Sequence, residues 1–371
     1  MKQSLFAVFS IIICSFLLSA CAAPQTMRPH GTNAEIMAEQ IKQSEVALKR
    51  LVNDSRHVQK IGHPILAKNT NFCGEDVAID YGFSIWNIYD VGVNYKIAAD
   101  NIYSLGENLQ VFQVIPNSPA AKAGLKRGDK VKSVNGTPFP YGKGASKKYH
   151  KIIRNKKENK KASIVINRQG IEKTVNLTGK EICHYPLMVT ESDVVNAYAD
   201  GDYIYITRGM LRFIDTDQEL ALVIAHELGH NAMGHIKKMK QNAVTGAIAG
   251  AILDAALGTS GFSNMGSDIG RMSHSIGFEQ EADYAGMYFL KRAGYSTNGA
   301  ANFWRRMAAN NSSSINRRSS SHPSSPERFV DINKTHDEIM AKVKAGKALE
   351  PELKPKTEFV KTNKNRGALN D

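Results

Sequence analysis

Leu220-Ala-Leu-Val-Ile-Ala-His-Glu-Leu-Gly-His230 is the stretch of the 371-residue sequence that says most about its fold. Apolar residues dominate before the histidines, and Thr216-x-x-Glu219 has the spacing of a capping box, so a buried helix is predicted here. His226 and His230 are four residues apart and therefore share one helix face, where both imidazoles can bind one zinc ion.

Glu227 lies on the same helix, turned by about 100° from His226. It is predicted to be the general base that takes a proton from a water molecule activated by the metal. The HExxH pattern on a capped, buried helix thus predicts hydrolytic metal chemistry.

A catalytic zinc ion usually has three protein ligands, so a third ligand is needed. His235 does not stand where a third histidine of the metzincin type would stand, and it is not expected to bind. Glu279 and Asp283 are one turn apart on a second predicted helix, where one carboxylate can bind zinc and the other can hold a histidine ring by its far nitrogen. Glu281 is expected to face elsewhere.

These two segments resemble the M48 family of zinc peptidases. Asn196-Ala197, the strand 203–207, Gly209-Met-Leu211, the HELGH motif and the E-x-E-A-D stretch occur in the family's order and spacing. The resemblance implies one Zn²⁺ per chain, with Glu279 as the third ligand and Asp283 as the residue that supports a ligand from behind. It also implies that the strand 203–207 aligns the substrate backbone as an added strand.

Ser321-His322-Pro323, followed by Glu327-Arg328, looks like the HP segment of the same family, whose histidine approaches the metal. Three roles for His322 stay open. It can stabilise the oxyanion as a catalytic residue, occupy the open metal position as a latch, or lie in a solvated loop.

Residues 110–136 contain a strand, a helix start at Ser118-Pro119-Ala120, and turns at Gly128-Asp129 and Asn135-Gly136. This run resembles the PDZ domains of bacterial exported proteases, which implies peptide binding by strand addition. A degenerate, structural or inhibitory domain is an equal alternative, because no clear carboxylate-binding loop is present. Leu105-Gly106-Glu107 is a poor candidate for that loop.

The N-terminus has the features of a targeting signal: Lys2 precedes an apolar run, 5–18, that is too short to span a bilayer comfortably. Leu18-Ser19-Ala20-Cys21 resembles the lipobox of bacterial lipoproteins, which implies that Cys21 is lipidated and anchors the chain to a membrane. Ala22 follows, which favours a periplasm-facing anchor in the outer membrane over the inner membrane. A plain signal peptide cut near Ala20, or a cytosolic protein with an unusual apolar start, is the alternative.

Cys73 and Cys183 are the two cysteines that remain, in a compartment where disulfides persist. They bracket the PDZ-like segment almost end to end. A Cys73–Cys183 disulfide is therefore predicted, with two buried free thiols as the alternative.

The formal net charge is +13, and lysine and arginine are densest in the segment 143–161. This segment could bind an anionic membrane surface or an acidic polymer, and a solvated helix face is the alternative. Nucleic acid is not an expected partner, because no stacking aromatics are interleaved among the lysines. Residues 243–258, rich in Ala and Gly, are expected to form a helical hairpin or a mobile loop.

The predicted fold class is α+β, with a mainly helical zincin-type domain after a small β-rich domain. The predicted segments are a lipoprotein signal peptide (1–20), a tether and amphipathic helix (21–72), the PDZ-like domain (73–184), the M48-like zinc peptidase domain (185–345) and a disordered basic tail (346–371). The implied function is a membrane-anchored periplasmic zinc metalloendopeptidase that acts on unfolded or misassembled envelope proteins in quality control. A metal-binding chaperone or scaffold, and a zinc hydrolase of peptidoglycan, are the alternatives.

Overall fold

The computed structural model describes residues 26–139, 141–154, 160–257, 264, 275–310, 322 and 325–352. The signal segment, Cys21, part of the basic segment and the tail beyond Glu352 lie outside the described residues. Within the described ranges, no helix is long and apolar enough to span a membrane. The chain divides into two compact units between Ser44 and Glu45.

The first long helix is α1 (Asn33–Lys68). Its start is capped reciprocally: the Thr32 N–H donates to Glu35 Oε2 at 2.7 Å, and the Glu35 N–H donates to Thr32 Oγ1 at 3.3 Å. In the second unit, apolar residues at helical spacing, such as Leu48 and Val52, are buried. The helix therefore contributes to the core mainly through its second half.

The β-rich region follows α1. It contains, in order, β1 (Val77–Asp80), β2 (Phe83–Trp86), α2 (Lys96–Tyr103), β3 (Gln110–Val114), α3 (Pro119–Lys122), β4 (Lys130–Val134), β5 (Thr137–Pro138), α4 (Ala145–Arg154), β6 (Lys161–Arg168), β7 (Ile171–Thr178) and β8 (Lys180–Cys183). An antiparallel sheet has the order β2-β3-β4-β6-β7, with β5 paired to β4, and β1 pairs separately with β8. Ser118 caps α3 as its sequence predicts, since its side chain accepts from the Ala121 N–H.

A disulfide joins Cys73 to Cys183, whose Cα atoms are 5.7 Å apart. These are the two cysteines that the sequence analysis paired. Val77 and Cys183 are register partners in the β1–β8 sheet, so the disulfide lies beside the strand pair that closes this region.

The mainly helical region follows. It contains β9 (Leu187–Thr190), β10 (Ala197–Ala199), β11 (Ile204–Thr207), α5 (Arg208–Phe213), α6 (Asp217–Ala232), α7 (His235–Leu257), α8 (Ser275–Arg292), α9 (Ala300–Asn310) and α10 (Pro326–Lys344). Its buried cluster is centred on α6 and α8 and includes Leu220, Ile224, Tyr288 and Phe289. The predicted α+β class, with a β-rich region before a mainly helical one, is confirmed.

Two local expectations are wrong. The strand 203–207, expected to accept the substrate, corresponds to β11, which is the central strand of a sheet with the order β10-β11-β9. Both of its edges are already paired, so it has no free edge for an added strand. Residues 243–257 continue a single helix, α7, instead of forming a hairpin or loop.

Candidate metal centre

Helix α6 carries the HExxH motif into the interior. Thr216 caps it, with the Thr216 side chain accepting from the Glu219 N–H at 3.3 Å. Every residue from Leu220 to Asn231 is buried. A buried histidine or carboxylate is costly unless it is paired or binds a cation, so the polar side chains of this helix need partners.

Helix α8 supplies those partners because two glycines allow the helix backbones to touch. A Cβ added to Gly229 would lie 2.9 Å from the Ala282 carbonyl oxygen, and one added to Gly286 would lie 3.0 Å from the Ala225 oxygen. Larger residues would hold the helices apart. The close approach brings the carboxylates of α8 onto the histidines of α6.

One group in the described part of the chain could hold a metal ion, and it consists of His226, His230, Glu279 and His322. His226 Nε2 lies 3.1 Å from His230 Nε2 and 3.5 Å from Glu279 Oε2, and His230 Nε2 lies 3.3 Å from Glu279 Oε1. A tetrahedral zinc site with bonds of about 2.05 Å has ligand-to-ligand separations of about 3.3 Å. The three predicted ligands therefore have a spacing that fits zinc.

A second layer holds these ligands in place. Asp283 Oδ1 lies 2.9 Å from His226 Nδ1, the nitrogen opposite the donor atom. Arg328 donates to both oxygens of Asp283, at 2.7 and 3.0 Å, and its Nη1 lies 3.1 Å from Glu279 Oε2. Asp283 thus has the supporting position that the M48 resemblance implied, and Arg328 links it to the third ligand.

The buried carboxylates around the histidines favour binding of a cation at this site. Burial opposes ionisation of Asp283, but the Arg328 guanidinium and His226 hold the pKa of that carboxyl below its usual value. Burial also opposes ionisation of Glu279, whose pKa is nevertheless well below its usual value because of the charge of His322 and hydrogen bonds from the histidines. When the histidines are neutral, as metal ligands must be, three carboxylates (Glu227, Glu279 and Asp283) face one guanidinium, so a divalent cation would balance the remaining buried charge.

His235 and Glu281 have a role that the sequence analysis missed. His235 Nδ1 lies 3.1 Å from His230 Nδ1, and His235 Nε2 lies 2.8 Å from Glu281 Oε2. If His230 presents Nε2 to a metal, its Nδ1–H donates to His235, whose Nε2–H donates to Glu281. Both metal-facing histidines are then held from the far nitrogen.

Gly234 is the sequence feature that could have indicated this contact. Helix α6 ends at Ala232, Gly234 has a φ of +68°, and α7 begins at His235. This break turns the chain, so the imidazole of His235 returns to His230 but does not join the donor group. Glu281, expected to face elsewhere, meets it there.

His322 reaches the donor group from the segment before α10. Its Nδ1 lies 3.0 Å from Glu279 Oε2 and 3.4 Å from His226 Nε2, while its Nε2 lies 3.0 Å from the Ala197 carbonyl oxygen. The side chain is only 9% exposed, so the solvated-loop alternative is wrong. His322 therefore lies where a fourth ligand would lie.

Glu227 completes the site. Its Oε1 lies 3.4 Å from His322 Nε2, and its Oε2 is buried with no hydrogen-bond partner among the described residues. An unsatisfied buried carboxylate oxygen is costly, which is the expected situation for a group whose partner is a water molecule or a substrate.

The β-rich region offers a second concave surface. Strand β2 ends its sheet, and its residues border a cavity of about 1780 Å³ together with residues of α1 and β9. The turn before β2 contains Gly82, whose N–H donates to Asp80 Oδ2 at 2.8 Å, and His63 lies 2.9 Å from the same oxygen. The Gly82 amide is thus already hydrogen-bonded to a carboxylate of the chain itself.

Comparison with known proteins gives two family matches. The model of peptidase family M48 matches residues 163–336, and the PDZ domain model matches residues 89–178. Metalloprotease LoiP of Escherichia coli (strain K12) is 31% identical over 165 residues, which cover 42% of this chain and 64% of that protein.

Two further relatives are 29% identical over the matched residues. The beta-barrel assembly-enhancing protease of Yersinia pestis is 29% identical, covering 32% of this chain and 27% of that protein. The mitochondrial metalloendopeptidase OMA1 of Saccharomyces cerevisiae is 29% identical, covering 36% of this chain and 41% of that protein. The chain spans less than two thirds of the length of each of these three relatives. Both family matches agree with the resemblances read from the motifs: the match to peptidase family M48 contains the HExxH helix, and the match to the PDZ domain contains residues 110–136.

Proposed function

We propose that this protein is a zinc metalloendopeptidase, with His226, His230 and Glu279 as its metal ligands. The observation that carries the proposal is the buried group of two imidazole nitrogens and a carboxylate oxygen, 3.1–3.5 Å apart, beside Glu227. The M48 match and the names of the metalloprotease relatives support it.

The chain's own residues have separate roles in the proposed reaction. A zinc ion bound to this donor set would lower the pKa of a water molecule and polarise the scissile carbonyl. Glu227 Oε2 takes the proton of the attacking water and passes it to the leaving nitrogen of the peptide. Asp283 and Arg328 keep His226 and Glu279 oriented, because the Asp283 carboxylate lies 2.9 Å from His226 Nδ1 and the Arg328 guanidinium lies 3.1 Å from Glu279 Oε2.

Strand β10 is the edge on which the substrate backbone aligns. The Thr207 N–H donates to the Asn196 oxygen, and the Asp200 N–H donates to the Tyr203 oxygen. Hydrogen-bonded pairs alternate along an antiparallel ladder, so the backbone groups of Ala197 and Ala199 point away from β11. An extended peptide that pairs with them lies beside the metal ligands.

His322 acts as a reversible latch in this proposal. It takes the position of a fourth ligand and bonds to the Ala197 oxygen, and both places are ones that water and substrate need. The substrate therefore competes with His322. A catalytic role for His322, in which it stabilises the oxyanion, is the alternative, and loss of activity in His322→Ala would support it.

The location and substrates form the second part of the proposal. Lipidation at Cys21 anchors the chain, facing the periplasm, in the outer membrane rather than the inner one. Two observations support this assignment: the Cys73–Cys183 disulfide suits an oxidising compartment, and one group of relatives is named for beta-barrel assembly. Its substrates are unfolded or misassembled envelope proteins, and strand β2 of the β-rich region binds peptide segments of them. If the Cys21→Ser variant still appeared in the membrane fraction, the proposed anchor would be contradicted.

One experiment separates the peptidase from its alternatives. Unfolded casein and purified peptidoglycan are each incubated with the zinc-loaded protein, with and without a chelator, and Glu227→Gln is the matched control. We expect casein cleavage that the chelator and the variant both abolish. Cleavage of peptidoglycan alone identifies a cell-wall hydrolase, and suppression of casein aggregation without cleavage identifies a chaperone.

A further inference from the structure

The outer face of the three-stranded sheet carries a row of large apolar side chains. Tyr198 of β10 is the register partner of Tyr205 in β11, and Tyr205 is the partner of Met188 in β9. The rings of Tyr198 and Tyr205 stack with centroids 4.7 Å apart, and Tyr203 lies 5.8 Å from Tyr205. We call these four residues the tyrosine row.

The tyrosine row is exposed, whereas the opposite face of the same sheet is buried. Tyr198, Tyr203 and Met188 are 38%, 40% and 44% exposed. Ala197, Ile204 and Ile206, which alternate with row residues along the strands, are at most 1% exposed in the cluster that contains α6. A contiguous exposed aromatic surface of this kind is an interaction site more often than other parts of a protein surface are.

The position of Tyr198 indicates what covers the row. Tyr198 belongs to β10, and the free edge of β10 is the one next to His322 and the metal ligands. In a chain that pairs with Ala197 and Ala199, the residue opposite Tyr198 points to the same face of the sheet. Its Cβ lies about 4.5–5.5 Å from that of Tyr198.

We infer that the tyrosine row is a specificity subsite, which selects substrate segments with an aromatic or β-branched residue at one fixed position near the cleaved bond. The inference rests on the proposed peptidase function and names its substrate class. Aromatic side chains pair well with aromatic and β-branched residues across strands, which amounts to a preference of about two- to fivefold over alanine. Asp200 and Asp202, in the turn between β10 and β11, add negative charge nearby, so acidic residues are disfavoured at this position.

Cleavage of a mixed peptide library by the zinc-loaded protein, read by mass spectrometry, tests the inference. The wild type is expected to prefer aromatic and β-branched residues at one fixed distance from the cut. Tyr198→Thr keeps strand propensity and should lower that preference two- to fivefold, whereas Tyr198→Phe should keep it. Tyr89→Thr removes a tyrosine of equal exposure, 38%, from the β-rich region and should not change the profile.

Binding separates failure of this inference from failure of the peptidase proposal. An extended peptide with an aromatic residue is titrated into Glu227→Gln, with and without Tyr198→Thr, and followed by fluorescence anisotropy. Binding two- to fivefold weaker in the double variant supports the subsite even if the wild type cleaves nothing. Equal binding, or an unchanged cleavage profile in Tyr198→Thr, overturns it. If Tyr198→Thr instead lost binding to phosphatidylglycerol vesicles and kept the wild-type cleavage profile, the tyrosine row would be a membrane-binding surface and the inference would be wrong.

Discussion

Replacement of His235 by alanine tests how the second layer supports the metal centre. His235 is fully buried, stacks on Phe278 with centroids 4.6 Å apart, and connects His230 to Glu281 through contacts of 3.1 and 2.8 Å. Without it, the His230 ring loses the partner that fixes its tautomer and its rotation. The ring must then be ordered by the metal itself.

The expected cost is a 10- to 100-fold loss of zinc affinity, which is the usual effect of removing such a partner and corresponds to about 1.4–2.7 kcal/mol. Glu281→Gln should lose less, because the amide oxygen still accepts the hydrogen bond from His235. Zinc affinity is measured by competition with a fluorescent chelator, and circular dichroism of the metal-free protein checks that each variant is folded.

His63→Ala is the matched control. His63 also contacts a carboxylate, Asp80 at 2.9 Å, but it is outside the donor group. This variant should bind zinc with wild-type affinity. If folded His235→Ala binds zinc as tightly as the wild type, the argument that His235 orients His230 is refuted.

Four other predictions concern the site and its scaffold. Glu227→Gln should keep its zinc but lose about 10²- to 10⁴-fold in kcat, and retained turnover would remove its role as base. His322→Ala should cleave casein about fivefold faster, because opening the site no longer requires breaking one hydrogen bond of about 1 kcal/mol. Slower cleavage by this variant would contradict the latch. Gly229→Ala should lower the free energy of unfolding by about 1–3 kcal/mol, because the added Cβ meets backbone, and an unchanged urea midpoint would contradict the close helix contact. Reduction of the Cys73–Cys183 disulfide, which closes a loop with a sequence separation of 110, should cost about 4–5 kcal/mol, and alkylation of two thiols without reductant would show that it is absent.

The sequence predicted the parts of the site that depend on local geometry. His226 and His230 follow from helical spacing, and Glu279 and Asp283 follow from the same spacing on a second helix together with the M48 resemblance. The caps at Thr216 and Ser118 were also predictable, because a cap involves residues only three positions apart.

The sequence could not predict contacts that depend on how elements meet. Arg328 meets its partners only through the tertiary fold: it reaches Asp283 of α8 across a sequence separation of 45. Nothing in its own neighbourhood indicates that it is buried. His235 could be excluded as a ligand from spacing, but its contact with Glu281 depends on the turn at Gly234 and on the position of α8.

The order of strands within a sheet is the other feature that the sequence could not predict. The alternation in residues 203–207 identifies a strand, but a strand's position within a sheet depends on its neighbours. β11 pairs with β10 on one side and β9 on the other, so the free edge beside the metal site belongs to β10. Similarly, the small residues of 243–257 suggested a break, yet they continue one helix.

Zinc X-ray absorption spectroscopy on the wild type and on Glu279→Gln shows whether His226, His230 and Glu279 bind one metal ion. We expect one zinc ion per chain, with nitrogen and oxygen neighbours at about 2.0–2.2 Å, imidazole scattering from at least two histidines, and weaker binding in the variant. A zinc ion without histidine scattering, or equal affinity and an identical spectrum in Glu279→Gln, would contradict this expectation.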